Sequence, residues 1–300
     1  MEILITGGTG LLGRALCKAL LARGHHPCVL SRHPEKVMRL CSAGVRALGS
    51  IDDWQSNQNF DAVINLAGAP IIDLPWTASR KHMLRESRIG LTDALVAAIA
   101  RAESKPKVLL SGSAIGIYGD RGEAPCPEDK EPVAAPDFGA RLCAGWERAA
   151  MQAEFLGVRV CLLRTGLVLS SDGGLLARMK WPFRLGLGGK LGSGQQWMSW
   201  IQIEDWVNAV CFLLEYPDAS GAFNLTAPTP VRNVDFTQAL AARYARRALF
   251  NQPARLLRAA LGQRAYLLLG GQRVKPERLV AAGFDFRHPT LNDALKASCN

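Results

Sequence analysis

Nowhere in its 300 residues does the chain carry about eighteen uninterrupted apolar residues, the length a membrane-crossing helix needs. That shortage argues against a membrane-crossing helix, and no membrane partner is expected. No leader is expected either. Met1 runs into Ile3, Leu4, Ile5, Thr6 and a glycine-rich turn, with no basic n-region or small-residue cleavage site. The N-terminus reads as a structural strand and the protein as cytoplasmic. The eight cysteines contain no CxxC spacing and the five histidines no HxxxH, so neither a disulfide framework nor a metal site is expected. Cys17, Cys28, Cys161 and Cys211 sit in apolar runs, where a reduced thiol packs as a small hydrophobe. Acidic residues are missing altogether between Phe236 and Pro276, a stretch with eight Arg or Lys in a chain of net charge +10. No aromatic interleaving or nucleic-acid motif accompanies that run, so nucleic acid is not the expected partner. The basic stretch reads as a solvated face, or as a surface that attracts an anionic cofactor or substrate.

What is present is an ordinary globular composition, 48% apolar and 21% charged, on a chain long enough for one large α/β domain and a smaller one. Short apolar runs alternate with helical patterns. Strands are expected at 3–6, 28–31, 45–48, 62–67, 108–111 and 160–164, and helices at 11–23, 34–42, 77–102 and 141–155. Continuous apolar strands separated by helices predict a parallel sheet covered on both faces, a doubly wound α/β fold of the Rossmann type. The pattern changes after Thr165. Residues 182–198 are too rich in glycine for a regular helix and are expected as a loop over a site. A helix returns at 204–215 and a strand at 222–225. The expected division is therefore 1–165 plus 203–225 as the nucleotide-binding domain. Residues 166–202 and 226–300 form a smaller, mixed but mainly helical substrate lobe.

The most specific signal is Thr6-Gly7-Gly8-Thr9-Gly10-Leu11-Leu12-Gly13, which fits GxGxxG and TGxxGxxG spacings together. It follows an apolar strand and opens an amphipathic helix. In that setting the glycines give a tight turn, close approach to a pyrophosphate, and close helix packing, while helix N–H groups face the phosphate. The end of the second strand reads Leu30-Ser31-Arg32-His33, without the acid that would accept ribose hydroxyls in an NAD-preferring site. A hydroxyl and a guanidinium there suit a 2′-phosphate, so NADP(H) is the expected cofactor.

With these motifs the sequence resembles the extended short-chain dehydrogenase/reductase superfamily. Asn65-Leu66-Ala67-Gly68, Ser111-Gly112-Ser113-Ala114 and Ile201-Gln202-Ile203-Glu204-Asp205 carry the likeness further. It looks most like an atypical "epimerase family protein" branch with a small C-terminal domain of undefined role. The shared features are Ser87-Arg88, Trp146-Glu147, Arg164-Thr165-Gly166 and the glycine-rich run from Pro182. The resemblance implies that Gly7, Gly10 and Gly13 hold the pyrophosphate, that Thr9, Leu11 and Leu12 also bind the cofactor, and that Ser31 with Arg32 takes the adenosine phosphate. It places Leu66, Ala67 and Gly68 along the adenine and ribose, Arg88 on the cofactor, and Ser113, Arg164 and Val168 near the nicotinamide. It also implies a homodimer through the helices at 77–102 and 141–155. For Asn65 a structural bridging role is weighed equally with a cofactor role, and Asp205 is expected to cap its helix.

One departure bears on function. Active members of the superfamily use a Tyr and a Lys four residues later, with a Ser, as acid–base groups. Here Phe138 falls at the Tyr position and Leu142 at the Lys position, and a phenyl ring has no proton to exchange. Ser113 remains, and Tyr118 is the substitute acid to consider, beside a structural role. Cys143, Glu147 and Arg141 are further candidates near the nicotinamide, with Glu147 expected as an exposed or salt-bridged residue. The expectation is an NADP(H)-binding oxidoreductase acting on an unidentified small molecule. The glycine-rich 186–196 loop, with Arg184 and Lys190 nearby, would close over an anionic group. The alternatives are a catalytically silent NADP(H) sensor and, behind it, a nucleotide-sugar epimerase.

Overall fold

Seven short apolar segments pair in parallel at the centre of the computed structural model, which describes residues 1–130 and 137–299. They are β1 (Glu2–Thr6), β2 (His26–Leu30), β3 (Arg46–Leu48), β4 (Ala62–Asn65), β5 (Val108–Ala114), β6 (Arg159–Thr165) and β7 (Gly221–Leu225). Their order across the sheet is β7-β6-β5-β4-β1-β2-β3, with every ladder parallel. The main helices are α1 (Leu11–Ala22), α2 (Ala78–Arg85), α3 (Leu91–Arg101), α4 (Phe138–Met151), α5 (Gly174–Arg184) and α6 (Ile203–Glu215).

Alternation along β1 explains the two covered faces. Ile3 and Ile5 join Leu16 and Leu20 of α1 and Trp206 and Val210 of α6. Leu4 points the other way, into a cluster with Leu95 and Ile99 of α3 and Ala150 of α4. Each of these side chains is fully buried, and the large aliphatic ones contribute about 1.5–3 kcal/mol apiece. Phe183, Trp200, Phe236, Leu240, Leu291 and Leu295 belong to a third apolar cluster, drawn from later in the chain. There the strand Leu167–Leu169 pairs in parallel with Trp200–Gln202.

Several local expectations need correction. The helix expected at 77–102 is three pieces, since a π-helical turn at Glu86–Gly90 separates α2 from α3. The helix expected to start at 141 starts at Phe138, because Asp137 caps it by accepting from the Ala140 N–H at 3.0 Å. It ends at Met151 and continues as a 3₁₀ turn to Leu156. Asp205 does not cap its own helix. Gln202 does that, and buried Asp205 instead accepts from the backbone N–H of Arg287 (2.8 Å) and His288 (2.9 Å), tying down the C-terminal segment. The segment expected as loop from 182 begins inside α5, whose last turn contains Pro182. There Phe183 buries itself in the third cluster. Residues 186–196 are laced to the segment at 250–252: Phe250 N donates to Gly188 O (3.2 Å), Gln252 N to Lys190 O (2.8 Å), and Gly192 N to Gln252 O (2.8 Å). This segment is packed in place, not poised as a free lid. Asn300, the last residue of the expected second lobe, lies outside the described residues.

Candidate functional site: a crevice at the strand-order switch

The strand order reverses between β1 and β4, and at that point a parallel sheet opens a crevice beyond its strand ends. A crevice of about 720 Å³ lies there. Its floor is the glycine-rich turn (Thr6, Gly7, Thr9, Gly10), one end is Leu30–His33 with Gly49–Ile51, and the opposite wall is Leu66–Pro70 with Arg80, Met83, Ser87 and Leu91. Gly7 has φ +70°, and a Cβ on it would stand 2.7 Å from the Leu66 carbonyl. A Cβ on Gly13 would stand 2.4 Å from Gly7 O, so only glycine lets α1 pack against the turn. Leu11, Leu12 and Gly13 form the first turn of α1 directly behind this floor.

Two features of the floor suit an anion. Gly10 stands at the N-cap of α1, and among the described residues no side chain caps that helix. Its first N–H groups, positive in sense, are left for a ligand. Ser31 and exposed Arg32 line the far end with His33 and Ser50 and no carboxylate. The residues present thus fit a dinucleotide with an extra phosphate.

Asn65 is a bridging amide. Its Oδ1 accepts from Thr6 Oγ1 (2.6 Å) and its Nδ2 donates to Thr92 Oγ1 (2.7 Å), while Thr6 Oγ1 accepts from Ala67 N (3.1 Å). This joins β1, β4 and α3 and holds the Leu66–Gly68 wall in position. The π-helical turn does similar work, since Ser87 Oγ accepts from Ala69 N (3.0 Å) and Arg88 Nη2 donates to Ala69 O (3.0 Å). Arg88 lies behind Gly68, where an added Cβ would meet its guanidinium at 2.8 Å. Its pKa is lowered by burial.

Ser113, Tyr118 and Arg164 belong to a buried polar network and not to the crevice wall. Ser113 Oγ donates to Glu147 Oε1 at 2.6 Å. Arg164 grips Glu147 with two bonds, Nε to Oε1 and Nη2 to Oε2, both 2.9 Å. Its Nη1 donates to Tyr118 Oη (2.9 Å) and Glu128 O (2.8 Å). Burial works against the Arg164 charge, but Glu147 more than offsets it and raises the pKa. The Arg164 guanidinium, expected near the nicotinamide, is thus consumed inside the protein. Tyr118 is wholly buried and donates its own proton to Asn224 Oδ1 at 2.7 Å. Burial pushes its pKa up to about 12, which suits a structural role and not that of a working acid. Cys143 is also pushed up to about 12, by burial and then by the Glu147 charge. A thiol held so firmly protonated is a poor nucleophile. Glu147, expected as exposed or salt-bridged, is salt-bridged and buried.

Phe138 and Leu142 form an apolar cluster with Leu84, and Trp76 meets the Phe138 ring edge-on at 4.9 Å. Val168 lies in the short strand Leu167–Leu169, outside the crevice wall. Arg80, His33 and Ser50 line the crevice and were not anticipated. A single arginine on an amphipathic helix carries no local signature. Ser50, by contrast, is readable as the N-cap of the turn Ile51–Asp53.

A glycine-rich turn at a strand-order switch, with an uncapped helix behind it, defines a dinucleotide-binding α/β protein. Comparison with known proteins narrows this: residues 3–226 match the NAD dependent epimerase/dehydratase family, to which the chain belongs, and residues 252–298 match a domain of unknown function, DUF1731. The chain is 40% identical to the Epimerase family protein Mb2239 of Mycobacterium bovis, over 98% of this chain and 96% of that one. It is 38% identical to the Epimerase family protein SDR39U1 homolog, chloroplastic, of Arabidopsis thaliana, over 99% and 86%. The human epimerase family protein SDR39U1 (isoform 2), solved with NADPH, superposes with a TM-score of 0.89 at 34% identity, covering 99% of this chain and 98% of that one. No helix among the described residues is long and apolar enough to cross a membrane.

Proposed function

We propose that this chain binds NADP(H) in the crevice and acts as an oxidoreductase on a small molecule without the Tyr/Lys acid–base pair. The observation that carries the cofactor assignment is the far end of the crevice, where Ser31 and Arg32 meet no carboxylate among the lining residues. The NADPH of the human relative supports it. Once bound, the dinucleotide supplies hydride chemistry at its nicotinamide. The chain's own residues do the rest. The uncapped α1 terminus receives the pyrophosphate, and Ser31 with Arg32 selects the 2′-phosphate. Asn65 and Arg88 hold the Leu66–Gly68 wall. Phe138 and Leu142 keep the usual acid–base position dry. Ser113 donates its proton to Glu147 within the buried network, so it is not available there as a proton donor.

A second reading, a silent NADP(H) sensor, is favoured by one specific fact: the hydroxyl protons of Ser113 and Tyr118 are both already donated. A nucleotide-sugar epimerase ranks behind both, for want of Tyr and Lys. The cytoplasmic setting expected from the sequence fits a chain whose eight thiols are free and buried. A panel of aldehydes, ketones and nucleotide sugars, followed by NADPH oxidation, separates the readings. Turnover of any carbonyl supports the oxidoreductase. Tight NADPH binding with no turnover across the panel transfers the assignment to the sensor.

A further inference from the structure

The wall opposite the glycine-rich turn carries one guanidinium, Arg80, with that of Arg88 behind it, and no carboxylate among its lining residues. Arg80 lines the crevice yet is only 8% exposed. It donates through Nη2 to Pro70 O and through Nη1 to the Met83 sulfur at 3.1 Å, a weak acceptor. Its Nε is buried and finds no hydrogen-bond partner among the described residues. Arg88 grips the preceding carbonyl, Ala69 O, and lies over the Trp146 ring at 5.4 Å. Neither arginine takes part in an ion pair among the described residues. Burial lowers the Arg88 pKa, and the neighbouring Arg80 charge lowers it further. Two adjacent, desolvated, like charges are costly unless something of opposite sign completes them. Of the other buried arginines, Arg164 is paired with Glu147 on both carboxylate oxygens and Arg264 donates to the carbonyls of Leu261 and Ile72; of the three, Arg80 alone leaves its Nε without a partner among the described residues.

We propose that Arg80, backed by Arg88, forms a second anion-binding wall of the crevice, receiving a phosphoryl or carboxylate group of the ligand. The anionic oxygens come from the dinucleotide's own pyrophosphate or from a second, acidic small molecule. The wall is separate from the Ser31–Arg32 end, which reads the adenosine phosphate. Only the pyrophosphate source rests on the NADP(H) reading.

The test uses the full chain, stripped of nucleotide, as wild type, Arg80→Gln and Arg80→Met. Glutamine keeps a donor for Pro70 O while removing the charge, and methionine keeps the aliphatic packing. Melting curves verify that each variant is folded. Each protein is titrated calorimetrically with NADPH, with NADH, and with inorganic pyrophosphate in the absence and presence of saturating NADPH. Losing a charge-assisted hydrogen bond should weaken binding by about tenfold to a hundredfold. An equal loss for NADPH and NADH supports the proposal and identifies the cofactor's pyrophosphate as the anion. Unchanged nucleotide affinities, with pyrophosphate bound by NADPH-loaded wild type and lost in the variants, support it with a second ligand as the source. A loss confined to NADPH, or no loss with any probe, overturns it. If wild type binds neither nucleotide, the cofactor reading fails, and titration of the nucleotide-free protein with pyrophosphate alone decides the role of Arg80.

Discussion

Replacing Arg164 by methionine would remove the group on which the buried network between β5, β6 and α4 converges. The guanidinium makes four hydrogen bonds, two to Glu147 and one each to Tyr118 Oη and Glu128 O. Both partners of the ion pair have side chains only 9% exposed, so water cannot take over the role of the lost cation. Glu147 would keep one proton donor, Ser113, and stay buried. Breaking a buried pair from one side costs about 3–5 kcal/mol, which for a chain of this size lowers the melting temperature by roughly 5–8 °C. The double variant Arg164→Met with Glu147→Met removes the stranded charge as well. It should therefore cost less than the sum of the single changes by about 1–3 kcal/mol. Denaturant unfolding of the four proteins gives the cycle. A single-variant loss under about 1 kcal/mol, with additive effects, would mean that the pair is solvated and the network carries little.

Other outcomes follow from the same geometry. Arg32→Asp should weaken NADPH binding by about tenfold to a hundredfold and NADH binding by much less; equal losses in parallel titrations would sink the phosphate assignment. Gly13→Ala puts a Cβ 2.4 Å from Gly7 O, so it should cost about 1–3 kcal/mol in thermal melts and lower nucleotide affinity. Phe138→Tyr places a hydroxyl among Leu84, Leu142 and Trp76. It should cost about 1–3 kcal/mol and add nothing to whatever carbonyl reduction the wild type shows, and a gain of activity over wild type would contradict the dry-site account. Burial raises the Glu128 pKa above its ordinary 4.5, so folding holds that proton more tightly than the unfolded chain does. Its contribution to stability is full below 4.5 and is lost as pH rises through the raised value. Glu128→Gln should flatten that part of the stability–pH curve.

The nucleotide-binding half was legible because its signals are local. The β1 run, the three glycines and the amphipathic start of α1 lie within one short segment, and Ser31-Arg32 is read directly off the end of the next strand. The absent acid–base pair was legible for the same reason, since Phe138 and Leu142 are one helical turn apart. What escaped reading depends on partners distant in sequence. Glu147 is an unremarkable helical carboxylate until Ser113, 34 residues away, and Arg164, 17 away, converge on it. Tyr118 looked like a candidate acid because nothing nearby announces Asn224, 106 residues on. Arg80 joins the crevice only because the loop from Leu66 to Pro70 folds back against α2. Pro182 concealed α5, since a proline there forfeits the N–H bond to the preceding turn, and only the distant partners of Phe183 in its core cluster reveal that the helix runs through it.

The measurement that bears most directly on function is a calorimetric titration of the unmodified, nucleotide-stripped protein with NADPH and with NADH. Saturable binding of one dinucleotide per chain, clearly tighter for NADPH, is the expected result. Failure to bind either, or a preference for NADH, would contradict the assignment of the crevice.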